Sequence, residues 1–118
     1  MHVLVVEDDC ALAALMADVL GEENIQVTVV TSIEGALSAM ATNPPALVLL
    51  DEHLPDGGGL ENIQALKAAA SRPPPIVLFT ADRLNRSEIE DAGADGYIAK
   101  PFELDTLVQE ISRWLRTS

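Results

Sequence analysis

Short apolar runs alternate along the chain with segments whose apolar residues recur at helical spacing. Val3 to Val6, Val27 to Val30, Leu47 to Leu50, Ile76 to Phe79 and, more weakly, Gly96 to Ala99 are the runs. Their length and Val/Ile/Leu content predict strands buried on both faces. Between them, Leu12, Leu15, Met16, Val19 and Leu20 fall on one face of a first helix. Ile33, Ala36, Leu37 and Met40 do so in a second, and Leu60, Ile63 and Leu66 in a third. Leu104, Leu107, Val108, Ile111 and Leu115 form the last and cleanest stripe. Thr31 with Glu34, and Ser87 with Glu90, have capping-box spacing. Asn43-Pro44-Pro45 and Arg72-Pro73-Pro74-Pro75 stop helices ahead of the third and fourth strands. No internal repeat, low-complexity tract or linker interrupts the pattern, so residues 1–118 read as one domain.

Five strands alternating with five helices predict an α/β fold, a parallel sheet covered on both sides with right-handed crossovers. In such folds the site lies at the carboxyl ends of the strands, where strand order reverses. The residues just past each strand are therefore the candidates: Glu7, Asp8 and Asp9; Thr31 and Ser32; Asp51 to Pro55; Thr80 to Asp82; Lys100-Pro101.

Composition narrows the class. A chain of 118 residues, 48% hydrophobic, can bury a real core, and its apolar runs are too short to cross a bilayer. Met1-His2 leads directly into a strand with no basic n-region or cleavage pattern, so a cytoplasmic location is expected. Cys10 is the only cysteine, which excludes an internal disulfide and suits a reducing compartment. Aromatics are limited to Phe79, Tyr97, Phe102 and Trp114, so the core must be aliphatic. The net charge is −12, and no Lys or Arg precedes Lys67. Such a surface repels phosphate backbones and anionic membranes, which argues against direct nucleic-acid or membrane partners.

The same acidity is concentrated at the predicted sheet edge. If the strands are parallel and adjacent, Glu7, Asp8 and Asp51 crowd together and repel each other unless a cation sits among them. Hard oxygen donors with open positions suit Mg²⁺ (or Mn²⁺). Asp8 and Asp51 would bind it directly and Glu7 through water, with a main-chain carbonyl near His53 completing the protein's share. Asp51 is then a plausible nucleophile toward a phosphoryl group, since carboxylates form acyl phosphates. Thr80 can hydrogen-bond one phosphoryl oxygen, and the Lys100 ammonium can pair with another. A bland reading makes Glu7-Asp8 a solvated turn with Asp9 as N-cap, Thr80 a strand-end hydroxyl and Lys100 a surface lysine. The combination of all four elements favours the chemical reading.

Four stretches then carry a resemblance that spans essentially the whole chain. They are Val5-Val6-Glu7-Asp8-Asp9; Leu49-Leu50-Asp51-Glu52-His53-Leu54-Pro55-Asp56-Gly57-Gly58-Gly59; Phe79-Thr80-Ala81; and Ala92-Gly93-Ala94-Asp95-Gly96-Tyr97-Ile98-Ala99-Lys100-Pro101-Phe102. In this order and spacing the chain resembles the receiver domain of two-component response regulators, the CheY-like superfamily. The resemblance implies a flavodoxin-like (βα)5 three-layer sandwich with strand order 2-1-3-4-5. It implies phosphorylation of Asp51 by a histidine kinase or phosphotransfer domain. It also implies a Mg²⁺ pocket of Glu7, Asp8, Asp51 and the His53 carbonyl, with Thr80 and Lys100 as phosphoryl ligands and a cis bond before Pro101. Tyr97 matches the family's switch aromatic, coupled to Thr80. Partners would read the switch on the face of helix four, strand five and helix five.

Departures from the pattern matter as well. His53 and Asp82 stand where side chains tune hydrolysis of the acyl phosphate, and both are chemically unusual there. The Thr80–Lys100 interval is about two residues shorter than common receivers have, and a cap at Ser87 would leave helix four little more than a turn. A phosphate relay or sink is the nearby functional alternative. An aspartyl-phosphate hydrolase fits less well, because His53 occupies the place of its acid and no cap domain is visible. A flavin-binding protein is weaker still, since acids replace the hydroxyls and glycines of its phosphate loop. The chain ends just past the last helix, which leaves both a stand-alone regulator and part of a longer protein open.

Overall fold

The computed structural model describes residues 2–80 and 85–117. Five parallel strands form one sheet: β1 (His2–Val6), β2 (Gln26–Val30), β3 (Leu47–Asp51), β6 (Ile76–Thr80) and β7 (Gly96–Ala99), in the order β2-β1-β3-β6-β7. Over these five the order is the expected 2-1-3-4-5. A short antiparallel hairpin, β4 (His53–Leu54) with β5 (Gly57–Gly58), was not foreseen. It sits between β3 and the third helix. The helices are α1 (Cys10–Glu22), α2 (Ile33–Thr42), α3 (Gly59–Ala68), α4 (Arg86–Ala92) and α5 (Leu104–Thr117).

Two apolar layers enclose the sheet. Val3, Val5, Leu47, Leu49, Val77 and Phe79 pack with Met16, Leu20, Leu107 and Ile111 on one side. Leu4, Val6, Val48, Leu50, Ile76 and Leu78 pack with Ala36, Met40, Ile63 and Leu66 on the other. Period-two alternation along each central strand sends neighbours to opposite layers, which is why those strands read as continuous apolar runs. Among the described residues, no helix is long and apolar enough to cross a membrane.

Three local expectations need correction. Val27 to Val30 lie in edge strand β2 rather than in a strand buried on both faces, and Val29 is 39% exposed. An edge strand has one neighbour, so helices covering the sheet's centre leave part of it in water. Leu15 is also exposed, and Ala13, Met16 and Leu20 form the buried face of α1. The helix caps fall elsewhere too. Ser32, not Thr31, caps α2, its Oγ accepting the Gly35 N–H at 3.0 Å. Asn85, not Ser87, caps α4, its Oδ1 accepting the Glu88 N–H at 2.7 Å. With that earlier start α4 makes about two turns rather than one, ending at Gly93 in the left-handed region (φ 95°).

Candidate phosphoacceptor and metal site

Strand register brings the chemistry together. Val6 pairs with Leu50 and Asp51 with Phe79, so Glu7, one residue past β1, comes level with Asp51 at the end of β3. Thr80 closes β6 opposite Ala99, and the next residue, Lys100, donates its backbone N–H to the Thr80 carbonyl at 2.9 Å. Because all the strands are parallel, each of these residues emerges at the same edge.

At that edge the Lys100 ammonium reaches Asp51 Oδ1 at 3.0 Å and Glu7 Oε2 at 3.5 Å. Its Nζ also lies 4.7 Å from the centroid of the Phe79 ring, a cation–π contact. Phe79 is braced in turn by an edge-to-face contact with Phe102, 6.3 Å between centroids. The Lys100–Pro101 peptide is cis. Asp9 caps α1 through Oδ1, which accepts from the Ala11 and Leu12 N–H groups at 3.0 and 3.2 Å. Its own N–H donates to Glu7 Oε1 at 3.0 Å. The cap thus also orients the first carboxylate of the site.

Glu7, Asp8 and Asp51 each offer a carboxylate oxygen, and those oxygens lie within 4.8 Å of one another. Glu7 and Asp51 are buried, while Asp8 opens to solvent. Burial raises the Glu7 pKa from 4.5 to about 7; the Asp9 N–H lowers it, the Asp51 carboxylate raises it further, and Lys100 lowers it. Glu7 Oε2 is buried without a hydrogen bond, its Lys100 contact being at ion-pair distance. An orphaned buried oxygen within a cluster of hard donors is what a divalent cation such as Mg²⁺ would satisfy, so the residues fit that ion.

The other expected residues are spread around this centre. His53 is exposed on β4, two residues beyond Asp51, and Thr80 is 1% exposed at the end of β6. Tyr97 is half-buried on β7, where with Arg86, Ile89 and Glu90 it lines a cleft of about 450 Å³. Asp82 and Ala81 lie outside the described residues. Trp114 packs closely enough on Gly96 that a Cβ there would come 2.7 Å from its Cζ2.

Several supporting residues lie in the motif stretches, yet no local pattern shows what they hold. Phe79 reads as one more apolar strand residue, yet its ring is the platform under Lys100. Asp56 reads as a turn residue after Pro55, yet its two oxygens accept the Ile33 and Glu34 N–H groups at 2.8 and 3.0 Å. Those backbone bonds lower its pKa. Asp95 Oδ2 accepts the Ile76 N–H at 2.8 Å and pairs with Lys67 at 3.1 Å, tying the entry of β7 to the start of β6. Gly59 is required by contact, since a Cβ would lie 2.2 Å from the Asp51 carbonyl oxygen.

Comparison with known proteins agrees with this fold. The model of the response regulator receiver domain matches residues 3–112. The chain is 31% identical over 115 residues to the KDP operon transcriptional regulatory protein KdpE of Escherichia coli, covering 98% of this chain and 51% of that protein. It is 36% identical over 122 residues to the phosphate regulon transcriptional regulatory protein PhoB of Klebsiella pneumoniae, covering 98% and 52%. Among solved structures, the BeF3-activated receiver domain of Klebsiella pneumoniae RstA superposes with a TM-score of 0.87 at 30% identity, covering 98% and 99%. The chain therefore belongs to the response regulator receiver domain family and is a receiver domain of two-component signalling. It spans about half the length of the curated relatives it matches.

Proposed function

We propose that Asp51 is the phosphoacceptor and that Glu7, Asp8, Asp51 and the His53 carbonyl hold a Mg²⁺ ion. The observation that carries this reading is the Lys100 ammonium, 3.0 Å from Asp51 within a cluster of three carboxylates. An Asp51 oxygen attacks the phosphorus of a phosphohistidine. The P–N bond breaks, its electron pair stays on the imidazole, which takes a proton from solvent, and an acyl phosphate forms on Asp51. Bound Mg²⁺ would supply charge neutralisation at the phosphoryl oxygens. Lys100 leaves its ion pair with Asp51 and pairs with a phosphoryl oxygen, while the Thr80 hydroxyl donates to another. His53 and Asp82 tune how long the acyl phosphate survives.

Phosphorylation shifts a two-state equilibrium in which Thr80 moves toward the phosphoryl group and Tyr97 turns inward. The donor is a histidine kinase or histidine phosphotransfer domain. The output partner docks on the face of α4, β7 and α5. This chain catalyses only its own phosphorylation and dephosphorylation, works in the cytoplasm, and with a charge of −12 makes no direct nucleic-acid contact.

Incubating the protein with Mg²⁺ and a small phosphodonor tests the reading by intact mass. One phosphoryl group should be gained in the presence of Mg²⁺, and none in Asp51→Asn or in EDTA. Equal labelling of Asp51→Asn would sink it.

A further inference from the structure

The hairpin that follows Asp51 is fastened to two different helices. We infer that Asp56 is a positioning residue for the divalent-cation site, clamping the hairpin tip onto the start of α2 and so holding the His53 carbonyl in place beside Glu7, Asp8 and Asp51. The inference rests on the metal-site reading above and adds what keeps its backbone ligand in register.

By itself the hairpin is a weak element. Its ladder is two residues long, His53 opposite Gly58 and Leu54 opposite Gly57, and Gly57 has φ 148°. A lone hairpin of this size does not hold its shape in water. Its base is tied to α3, where the Glu52 carbonyl accepts the Gly59 N–H and Glu52 Oε2 accepts the Leu60 N–H, both at 2.7 Å. Its tip is tied to α2 by Asp56, one carboxylate oxygen to Ile33 N–H (2.8 Å) and the other to Glu34 N–H (3.0 Å). These charge-assisted bonds use both oxygens of a rigid fork at a helix N-terminus, where the dipole favours an anion. His53 lies between the two anchors.

Two caps at one helix end make the inference separable from ordinary helix stability. Ser32 satisfies the Gly35 N–H from within the local chain, whereas Asp56 satisfies Ile33 and Glu34 from the hairpin. Removing either weakens α2. Only removal of Asp56 releases the hairpin tip from α2, and a ligand loosened in this way loses affinity much as when a metal site's supporting hydrogen bonds are cut.

The test is Mn²⁺ binding by the intact chain, read from the electron paramagnetic resonance of the free ion, beside urea unfolding of each variant. Asp56→Ala should weaken Mn²⁺ binding on the order of tenfold. Asp56→Asn, which keeps one acceptor oxygen, should fall between it and the parent, and it carries the test if the alanine variant does not fold. Ser32→Ala should lower the unfolding midpoint and bind Mn²⁺ as the parent does. Binding by the Asp56 variants within about twofold of the parent, or equal weakening in Ser32→Ala, overturns the inference. Asp8→Ala separates the two levels. If it binds Mn²⁺ normally, the metal-site reading itself fails; if it loses the ion while the Asp56 variants keep it, only the positioning role fails.

Discussion

Replacing Glu7 with Gln should stabilise the metal-free protein at neutral pH and erase a pH dependence that the parent shows. Glu7 is 2% exposed, and burial raises its pKa from 4.5 to about 7. Below pH 4.5 the group is protonated in both native and unfolded chains and contributes no difference. Between 4.5 and 7 the unfolded chain releases the proton while the native one keeps it, so stability falls as pH rises. The fall is complete above the native value. At roughly 1.4 kcal/mol per unit, the rise amounts to about 3 kcal/mol lost across this window. Urea unfolding followed by circular dichroism in EDTA, from pH 5 to 8, reads the difference between parent and Glu7→Gln; titrating groups remote from Glu7 cancel in that difference, and its coupled neighbours enter it. The variant should gain on the parent with rising pH, reaching about 1–3 kcal/mol once the less favourable fit of an amide beside Lys100 is allowed for. Mg²⁺ at saturating concentration should reverse the order, because it stabilises only a protein that can hold it. A difference that stays flat with pH, or Mg²⁺ that stabilises both proteins equally, would refute the reasoning.

Other outcomes follow from contacts around the same edge. Gly59→Ala places a Cβ 2.2 Å from the Asp51 carbonyl oxygen, a backbone clash expected to cost about 3 kcal/mol in urea unfolding; a neutral result would mean that α3 does not press on the end of β3. Phe79→Leu removes the ring beneath Lys100 and its contact with Phe102, and should lower stability by about 1–3 kcal/mol, with unchanged stability counting against a structural role for that stack. Gly96→Ala must push the Trp114 ring away from β7. The expected result is a red-shifted emission from the protein's single tryptophan with a loss of about 1–2 kcal/mol, and an unaltered spectrum would contradict the packing.

The amino-acid pattern alone determined the alternation of elements, the five-stranded order implied by the family resemblance, and which strand ends carry acids, a hydroxyl and an amine. Those properties are periodic or local, so they are written where the chain is read. Leu47 to Asp51 must be a buried strand because no polar residue interrupts it until its end. Tertiary structure decided what depends on distance across the fold. Asp56 looks like a turn residue because nothing nearby reveals that its partners, Ile33 and Glu34, lie 23 and 22 residues back. Phe79 becomes a support for Lys100 only once β6 and β7 pair, and Gly59 is constrained only when α3 meets the Asp51 carbonyl. Caps moved by one or two residues, to Ser32 and Asn85, since several hydroxyl and amide side chains near a helix start compete and the backbone's approach selects one. The carboxylate cluster was visible as three acidic residues at two strand ends. Its orphaned Glu7 oxygen and raised pKa arose from burial, which no local spacing encodes.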